Sequence, residues 1–158
     1  MIFPWIKVAT SLIGLKEVHG SQHNPDILQM WRDIKRGGIK SDEVPWCAAF
    51  VGACLERAGI QSTRFEGARS YAEWGQSLET PVSGCVVVFS RVGGGHVGFV
   101  VGQDKAGNLL VLGGNQDDAV NVRAFPLSRK PIYRWPSGVD IPLDPLPVGV
   151  GAMTKGES

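Results

Sequence analysis

What this 158-residue chain lacks narrows its function before any motif is read. There is no basic run: 16 Lys and Arg stand against 15 Asp and Glu, a net charge of +1. The phosphate attraction that supplies nucleic-acid affinity is therefore missing, and no DNA or RNA partner is expected. No apolar run approaches the ~20 residues of a membrane span, which argues against stable membrane insertion. Cysteine is scarce and odd in number, three residues, whereas a secreted disulfide scaffold shows an even and denser set. Three free thiols, and synthesis in a reducing cytoplasm, are the expectation. Zinc signatures are missing too. The chain has no CxxC and no HExxH, and His19 and His23 straddle a Gly-Ser break, so neither a metal nor a cofactor is expected. No internal repeat is present. The apolar start, Met1 to Leu15, has no basic n-region, is interrupted by Lys7 and leads to no small-x-small cleavage site, so it reads as mature protein without a signal peptide.

What is there is a chain long enough to bury roughly 70 per cent of its unfolded surface in one core. The front half reads as helix. Trp5, Val8, Ala9, Leu12 and Ile13 form an amphipathic stripe. Asp26 to Arg36 places Ile27, Met30, Trp31 and Ile34 on one face, stopped by Gly37 and Gly38. A third helix opens with Pro45 at its first position and closes on Gly59, and Ala68 to Trp74 makes a short fourth helix ended by Gly75. From Cys85 the pattern turns to Val- and Phe-rich runs: Cys85–Ser90, His96–Gly102, Leu109–Gly113, Asn121–Phe125 and Ile132–Trp135. Helices first and strands later predict an α+β domain over residues 1–136, with an antiparallel sheet of about five strands. Residues 137–158, rich in Pro and Gly, read as a tail without a core of its own.

Chemistry is suggested where three separate elements converge. The third helix puts the Cys47 thiol in its first turn, where unpaired N–H groups and the positive dipole end favour thiolate. Cys47, Phe50, Val51, Cys54 and Ala58 share a stripe, so the thiol faces a helix–sheet seam. His96 opens a strand, and a hairpin in which Gln103 faces Asn108 gives paired residue numbers that sum to 211. That register sets His96 opposite Asn115, whose carboxamide would bond one imidazole nitrogen and leave the other for a thiol. The pattern is that of nucleophile, base and orienter. Each residue also has a plainer reading, since a lone Cys is usually buried packing and a lone His a satisfied structural group. Cys54 and Cys85 are assigned to structure. The run Gly93–Gly95 leads into a strand, so it is no phosphate cradle; it is either a loose loop or room for a peptide backbone to approach His96 at Gly95. Arg69 offers a bidentate clamp for a substrate carboxylate, or a solvated helix charge. Asp42 and Glu43 favour the helix dipole, and Glu43 is within reach of the site. Trp46, Trp74 and Trp135 serve packing or a rim.

The stretches Asp42–Val51 (DEVPWCAAFV), Ala68–Gly75 (ARSYAEWG), Gly95–Gly102 (GHVGFVVG) and Leu112–Gln116 (LGGNQ) resemble the CHAP and NlpC-type cysteine peptidases of phage and prophage cell-wall hydrolases. Gly14–Gly20 (GLKEVHG) and Asn24–Ile27 (NPDI) extend the resemblance over about residues 5 to 136. The resemblance implies a papain-like fold and hydrolysis of an amide bond in peptidoglycan, with Cys47 as nucleophile, His96 as base and Asn115 as orienter. Trp46, Arg69, Gly95, Gln116 and Glu43 are then candidates to contact the substrate. Many CHAP relatives carry Glu where Gly113 stands here, which opens the orienting role to Gln116 or Asp117 as well. A thiol acyltransferase and a non-catalytic wall-binding module are the rival readings. The peptidoglycan reading further implies a monomer made in the cytoplasm that reaches the wall after holin-type release or by injection.

Overall fold

The computed structural model describes residues 2–19, 23–91 and 94–154. Helices α1 (Pro4–Ser11), α2 (Pro25–Asp33) and α3 (Cys47–Arg57) precede a 3-10 helix, Ala68–Glu73. The strands follow: β1 (Gln76–Leu78), β2 (Val86–Arg91), β3 (Gly94–Gln103), β4 (Leu109–Gly113), β5 (Asn121–Phe125), β6 (Ile132–Trp135) and β7 (Ala152–Met153). They form one sheet in the order β1-β6-β2-β3-β4-β5-β7, antiparallel throughout except where β7 joins β5. The fold is α+β, with helices first and a mostly antiparallel sheet after, in keeping with a papain-like arrangement. The sheet has seven strands where about five were expected; the two additions, β1 and β7, are short edge strands that carry no apolar alternation.

Helix α3 is the centre of the molecule. Every residue from Cys47 to Leu55 is buried, so the expected one-sided stripe is in fact a fully enclosed helix. It packs on α1 and α2 on one side and on β3 and β4 on the other. Small residues make this possible: a Cβ at Gly52 would lie 2.4 Å from the Ile34 Cγ2 and 3.1 Å from the Tyr71 hydroxyl. The helix starts at Cys47, not at Pro45, because Trp46 has non-helical backbone angles and serves as N-cap. It ends as expected, with Gly59 left-handed at φ +83°. There Gly59 N–H bonds Glu56 O and Ile60 N–H bonds Leu55 O.

The other helices end earlier than their apolar patterns suggest. α1 stops at Ser11, and Ile13 is exposed. Past it, Gly14 N–H and Leu15 O are taken by Val120, and Glu17 N–H by Asp118 O, so the chain leaves the helix to pair with the loop before β5. α2 is closed by Lys35 in the left-handed region, with Arg36 N–H reaching back to Trp31 O, before Gly37 and Gly38 are met. The Pro- and Gly-rich segment after Trp135 lies along the sheet. Gln103 exchanges backbone hydrogen bonds with Pro147 and Gly149, and β7 pairs with β5.

One charged cluster under α3 has a measurable consequence. Burial works against the Glu56 carboxylate, yet the Arg64 guanidinium and the N–H and hydroxyl of Ser62 outweigh it and hold Glu56 at about 2. A depressed carboxylate stabilises the fold above its unfolded value and loses that contribution as pH falls through the folded value. Glu56→Gln should therefore lower the melting temperature by about 5 °C at pH 7. The gap to wild type should close as the pH is lowered from about 4.5 toward 2, as thermal melts across that range will read.

Candidate active site

Cys47 is the first residue of α3 and 3% exposed, a thiol at the positive end of a buried helix. Cys54 and Cys85 differ from it. Burial pushes the Cys54 thiol far up and the Cys85 thiol up to about 12, so both are inert packing groups. No disulfide joins the three. Trp46 is wholly buried and its indole N–H donates to Glu17 Oε1 at 3.0 Å. The expectation that Trp46 contacts substrate is corrected: it is the packed floor beneath the helix start. Glu17, in turn, is held above the usual carboxylate range, first by burial and then by Asp118 and Asp42 nearby.

His96 sits in β3 opposite Phe89 of β2 and is fully buried. Its imidazole stacks on Phe125, ring centroids 5.5 Å apart and planes within 9°, and Phe125 stacks on Phe89 in turn. Its Nε2 lies 2.9 Å from Gln116 Oε1. The Gln116 carboxamide has only one orientation open to it. Its Nε2 donates to Val111 O, Asn121 O and Asn121 Oδ1, all acceptors, so the oxygen must face the ring. A fixed acceptor requires His96 to carry its proton on Nε2, which leaves Nδ1 as the basic nitrogen.

The hydrogen bond expected of Asn115 is thus made by the next residue. On the His96 side of the hairpin the register is the predicted one, with Phe99 paired to Leu112 and Val100 to Val111. A bulge between Val100 and Gly102 shifts the loop end by one, to Gln103 and Leu109. The ladder of β4 then ends at Gly113, and Asn115, Asp117 and Asp118 all take positive φ, so the chain curls before Asn115 can face His96. The curl brings Gln116 back. A Cβ at Gly113 would lie 2.4 Å from Gln116 Oε1 and 3.3 Å from His96 Nε2. The space that a side chain at 113 would fill is occupied here by the Gln116 amide. Gln116 is 1% exposed, with its side chain turned to His96 and not to solvent. Asp117 is exposed and points to no such role.

The first turn of α3 and the end of β4 touch at Gly114, where a Cβ would lie 2.6 Å from Phe50 Cβ and 2.8 Å from the Trp46 ring. The elements carrying Cys47 and His96 therefore meet over the Gly113–Gly114 pair. On the far side of His96, Gly95 makes room for Arg69 and not simply for a ligand: a Cβ there would lie 2.9 Å from Arg69 Cγ. The Arg69 stem lies on Gly95, and the residue as a whole is exposed. Gly93 lies outside the described residues. Glu43 is exposed, its N–H capped by Ser41 Oγ.

Sequence reasoning missed the pairing of His23 with Asp42. Asp42, wholly buried, accepts from Val18 N–H, Asn24 N–H and His23 Nδ1 at 2.7 to 2.9 Å. Burial pushes its carboxyl up, but these partners outweigh it and hold Asp42 below the usual range. The would-be metal ligands are thus dispersed, His23 to Asp42 and His96 to Gln116. Among the described residues, Glu17, His19 and Asp118 have side-chain ligand atoms within 4.8 Å of one another. There His19 turns a different ring nitrogen to each carboxylate, the geometry of an ion-pair ladder and not of one shared ion.

Removing the acceptor on Nε2 disfavours the imidazolium form of His96 and, for a Cys47 that gives its proton to that ring, the thiolate. Both Gln116→Leu and Gly113→Ala, the latter by displacing the amide, should move the onset of iodoacetamide labelling of Cys47 up by about one pH unit. Labelling rates between pH 4 and 9, followed by mass spectrometry, check this; an unchanged onset in both variants contradicts the assigned orienter.

No curated protein matches the chain. The CHAP domain family model matches residues 39–115, a span that holds Cys47 and His96 and ends at Asn115. With a helix-start cysteine and a strand histidine inside it, the span 39–115 matches the CHAP domain, a cysteine/amidase domain family of peptidoglycan hydrolases.

Proposed function

We propose that this protein hydrolyses an amide bond of the peptidoglycan stem peptide by a thiol mechanism, with Cys47 as nucleophile, His96 as general base and acid, and Gln116 as the residue that orients His96. The observation that carries the reading is the locked Gln116 carboxamide on His96 Nε2. An acceptor fixed on Nε2 puts the lone pair of neutral His96 on Nδ1, where it can take a nucleophile's proton. In the cycle, His96 Nδ1 takes the Cys47 proton, and the sulfur attacks the amide carbonyl carbon. The C–N bond then breaks as Nδ1–H protonates the leaving amine. Water, deprotonated by His96, attacks the resulting thioester, which yields a carboxylic acid and restores the thiol. Charge developing on the carbonyl oxygen is favoured by the first turn of α3.

Arg69 supports a peptide substrate that carries a carboxylate. Its guanidinium is exposed beside β3, one residue from His96, and no ion pair to it is found among the described residues. A free carboxylate on the stem peptide would bind there in bidentate fashion. Peptidoglycan is thus the proposed partner, and the cell wall of a bacterium, reached as an endolysin or an injected hydrolase would reach it, is the proposed place of action.

Cys47→Ala should abolish muropeptide release from purified sacculi while its melting temperature stays within a few degrees of wild type; release by that variant overturns the mechanism. Mass spectrometry of the wild-type digest reads the bond cut, since hydrolysis leaves a new amine and a new carboxyl. A new amide in place of the carboxyl would indicate acyl transfer instead. Arg69→Ala should raise KM about tenfold for stem peptides with a free carboxylate and leave KM for their amidated forms unchanged.

A further inference from the structure

Three rings from three strands are stacked although the strand order separates two of them. Phe89 is on β2 and Phe125 on β5, with β3 and β4 between them in the sheet, yet their ring centroids lie 4.7 Å apart at 11°. His96, on β3, stacks on Phe125 at 5.5 Å. Such contacts require the sheet to curl until β5 comes over β2. Residues 126–131 bridge this curl, leading from Phe125 to Ile132, which pairs with Val88 beside Phe89. The bridge is a short 3-10 turn, Leu127–Arg129, closed by Arg129 N–H to Pro126 O and by the left-handed Lys130, whose N–H bonds Leu127 O. From this turn Arg129 lays its guanidinium over both phenyl rings, Cζ 5.3 Å from the Phe89 centroid and 5.6 Å from that of Phe125.

Packing alone does not call for a cation here. Leu or Met would cover two phenyl rings as well, without partly desolvating a charge. What the guanidinium adds is a permanent positive charge, since Arg is not deprotonated in proteins. The 5.6 Å from it to the Phe125 centroid and the 5.5 Å from there to the imidazole centroid bound its separation from His96 at about 11 Å. Phe89, Phe125 and His96 are all fully buried, so water does little to screen the charge. His96 is then acted on in two directions. The Gln116 carbonyl oxygen on Nε2 favours the imidazolium, and a second cation on the same ring stack disfavours it. The other charged or titratable groups on the elements around His96 are Cys47 at the start of α3, Arg69 with its stem on Gly95, Arg91 at the end of β2, Arg123 on β5 with its guanidinium turned to Val122 O, and Lys130 beside Arg129. Arg69 and Lys130 are exposed and screened by water, whereas Arg129 is half-buried.

We propose that Arg129 is a positioning residue for His96: its guanidinium, stacked on Phe89 and Phe125, opposes protonation of the imidazole and so keeps Nδ1 available as a base near neutral pH. The use of that base rests on the hydrolase reading above; the coupling of Arg129 to His96 does not.

The test is a histidine NMR titration of the full chain as wild type, Arg129→Met, Arg129→Gln and Arg129→Lys, with the His96 ring assigned by its contacts with the Phe125 protons. Met and Gln keep the bulk of the side chain without its charge, and Lys keeps the charge. The His96 pKa should rise by about half a unit in the two neutral variants and stay close to wild type in Arg129→Lys, with His19 and His23 unmoved throughout. An unmoved His96 in a neutral variant that folds overturns the proposal. So does a shift in Arg129→Lys as large as theirs, or loss of the fold in both neutral variants, either of which would mark Arg129 as packing alone. A wild type that releases nothing from sacculi while His96 shifts as expected removes the hydrolase reading and leaves this coupling standing; an active wild type with an unmoved His96 does the reverse.

Discussion

The hydrogen bond between the Gln116 amide oxygen and His96 Nε2 is the constraint from which the rest of the site follows. By itself it would settle little, since a carboxamide can turn over and present its nitrogen. Three carbonyl-type acceptors behind the amide remove that freedom, two of them on the first residue of β5 and one on β4. The tautomer of a histidine on β3 is thus decided by the pairing of two other strands. A carboxylate in place of the amide would accept from His96 more strongly, but it has no hydrogen to give these acceptors. Position 116 is for that reason chemically a glutamine position, even where an acid would seem the better partner of an imidazolium.

The neighbouring glycines make room for this. At Gly113 the amide of residue 116 lies where a side chain would begin, and at Gly114 the β4 backbone rests directly on the first turn of α3. A second layer keeps the two halves in step. Residues 14–17 pair their backbone with residues 118–120, Glu17 accepts from the Trp46 indole, and Val18 and Asn24 give Asp42 their N–H groups. The loop that carries Gln116 and the chain that leads into Cys47 are therefore tied to one strap. Asp42, buried and held ionised by its three partners, is the firmest knot in it.

Much of this was legible because period and chemistry agreed locally. The α+β order, the Gly59 stop of α3, the strands β4, β5 and β6, and the pairing of Phe99 with Leu112 all follow from apolar patterns and turn residues. Cys47 and His96 stood out because a thiol at a helix start and a histidine leading a strand are unusual company for packing residues. What escaped was fixed by non-local competition. α1 yields its last turn to a pairing with residues 118–120, and α2 ends on a lysine because the backbone closes there before the glycines are reached. Asn115 was misplaced because strand alternation was carried two residues past the end of β4. A run of left-handed residues, Asn115 and then Asp117 and Asp118, marks a curl that no period describes. The Asn and Asp content of that stretch was the one available signal, as these residues enter the left-handed region more readily than others.

Cys47 and His96 are nearly sealed, at 3% and 0% exposure. Water is then a poor source of stabilisation for a thiolate or an imidazolium, and the protein has to provide it. It does so with fixed dipoles, the first turn of α3 for the sulfur and the Gln116 carbonyl for the ring, while the Phe125 and Phe89 stack excludes solvent from the ring face. Such groups need no rearrangement when charge appears, which is the advantage of placing them by strand pairing and glycine contacts instead of by mobile side chains. The same enclosure limits how a substrate can arrive. Under the proposed hydrolysis, an extended peptide is thin enough to bring a carbonyl to such enclosed groups, and the exposed Arg69 beside β3 is a group that a substrate carboxylate would meet. Under the proposed hydrolysis, a buried Cys47 and His96 and an extended peptide substrate are two consequences of one packing arrangement.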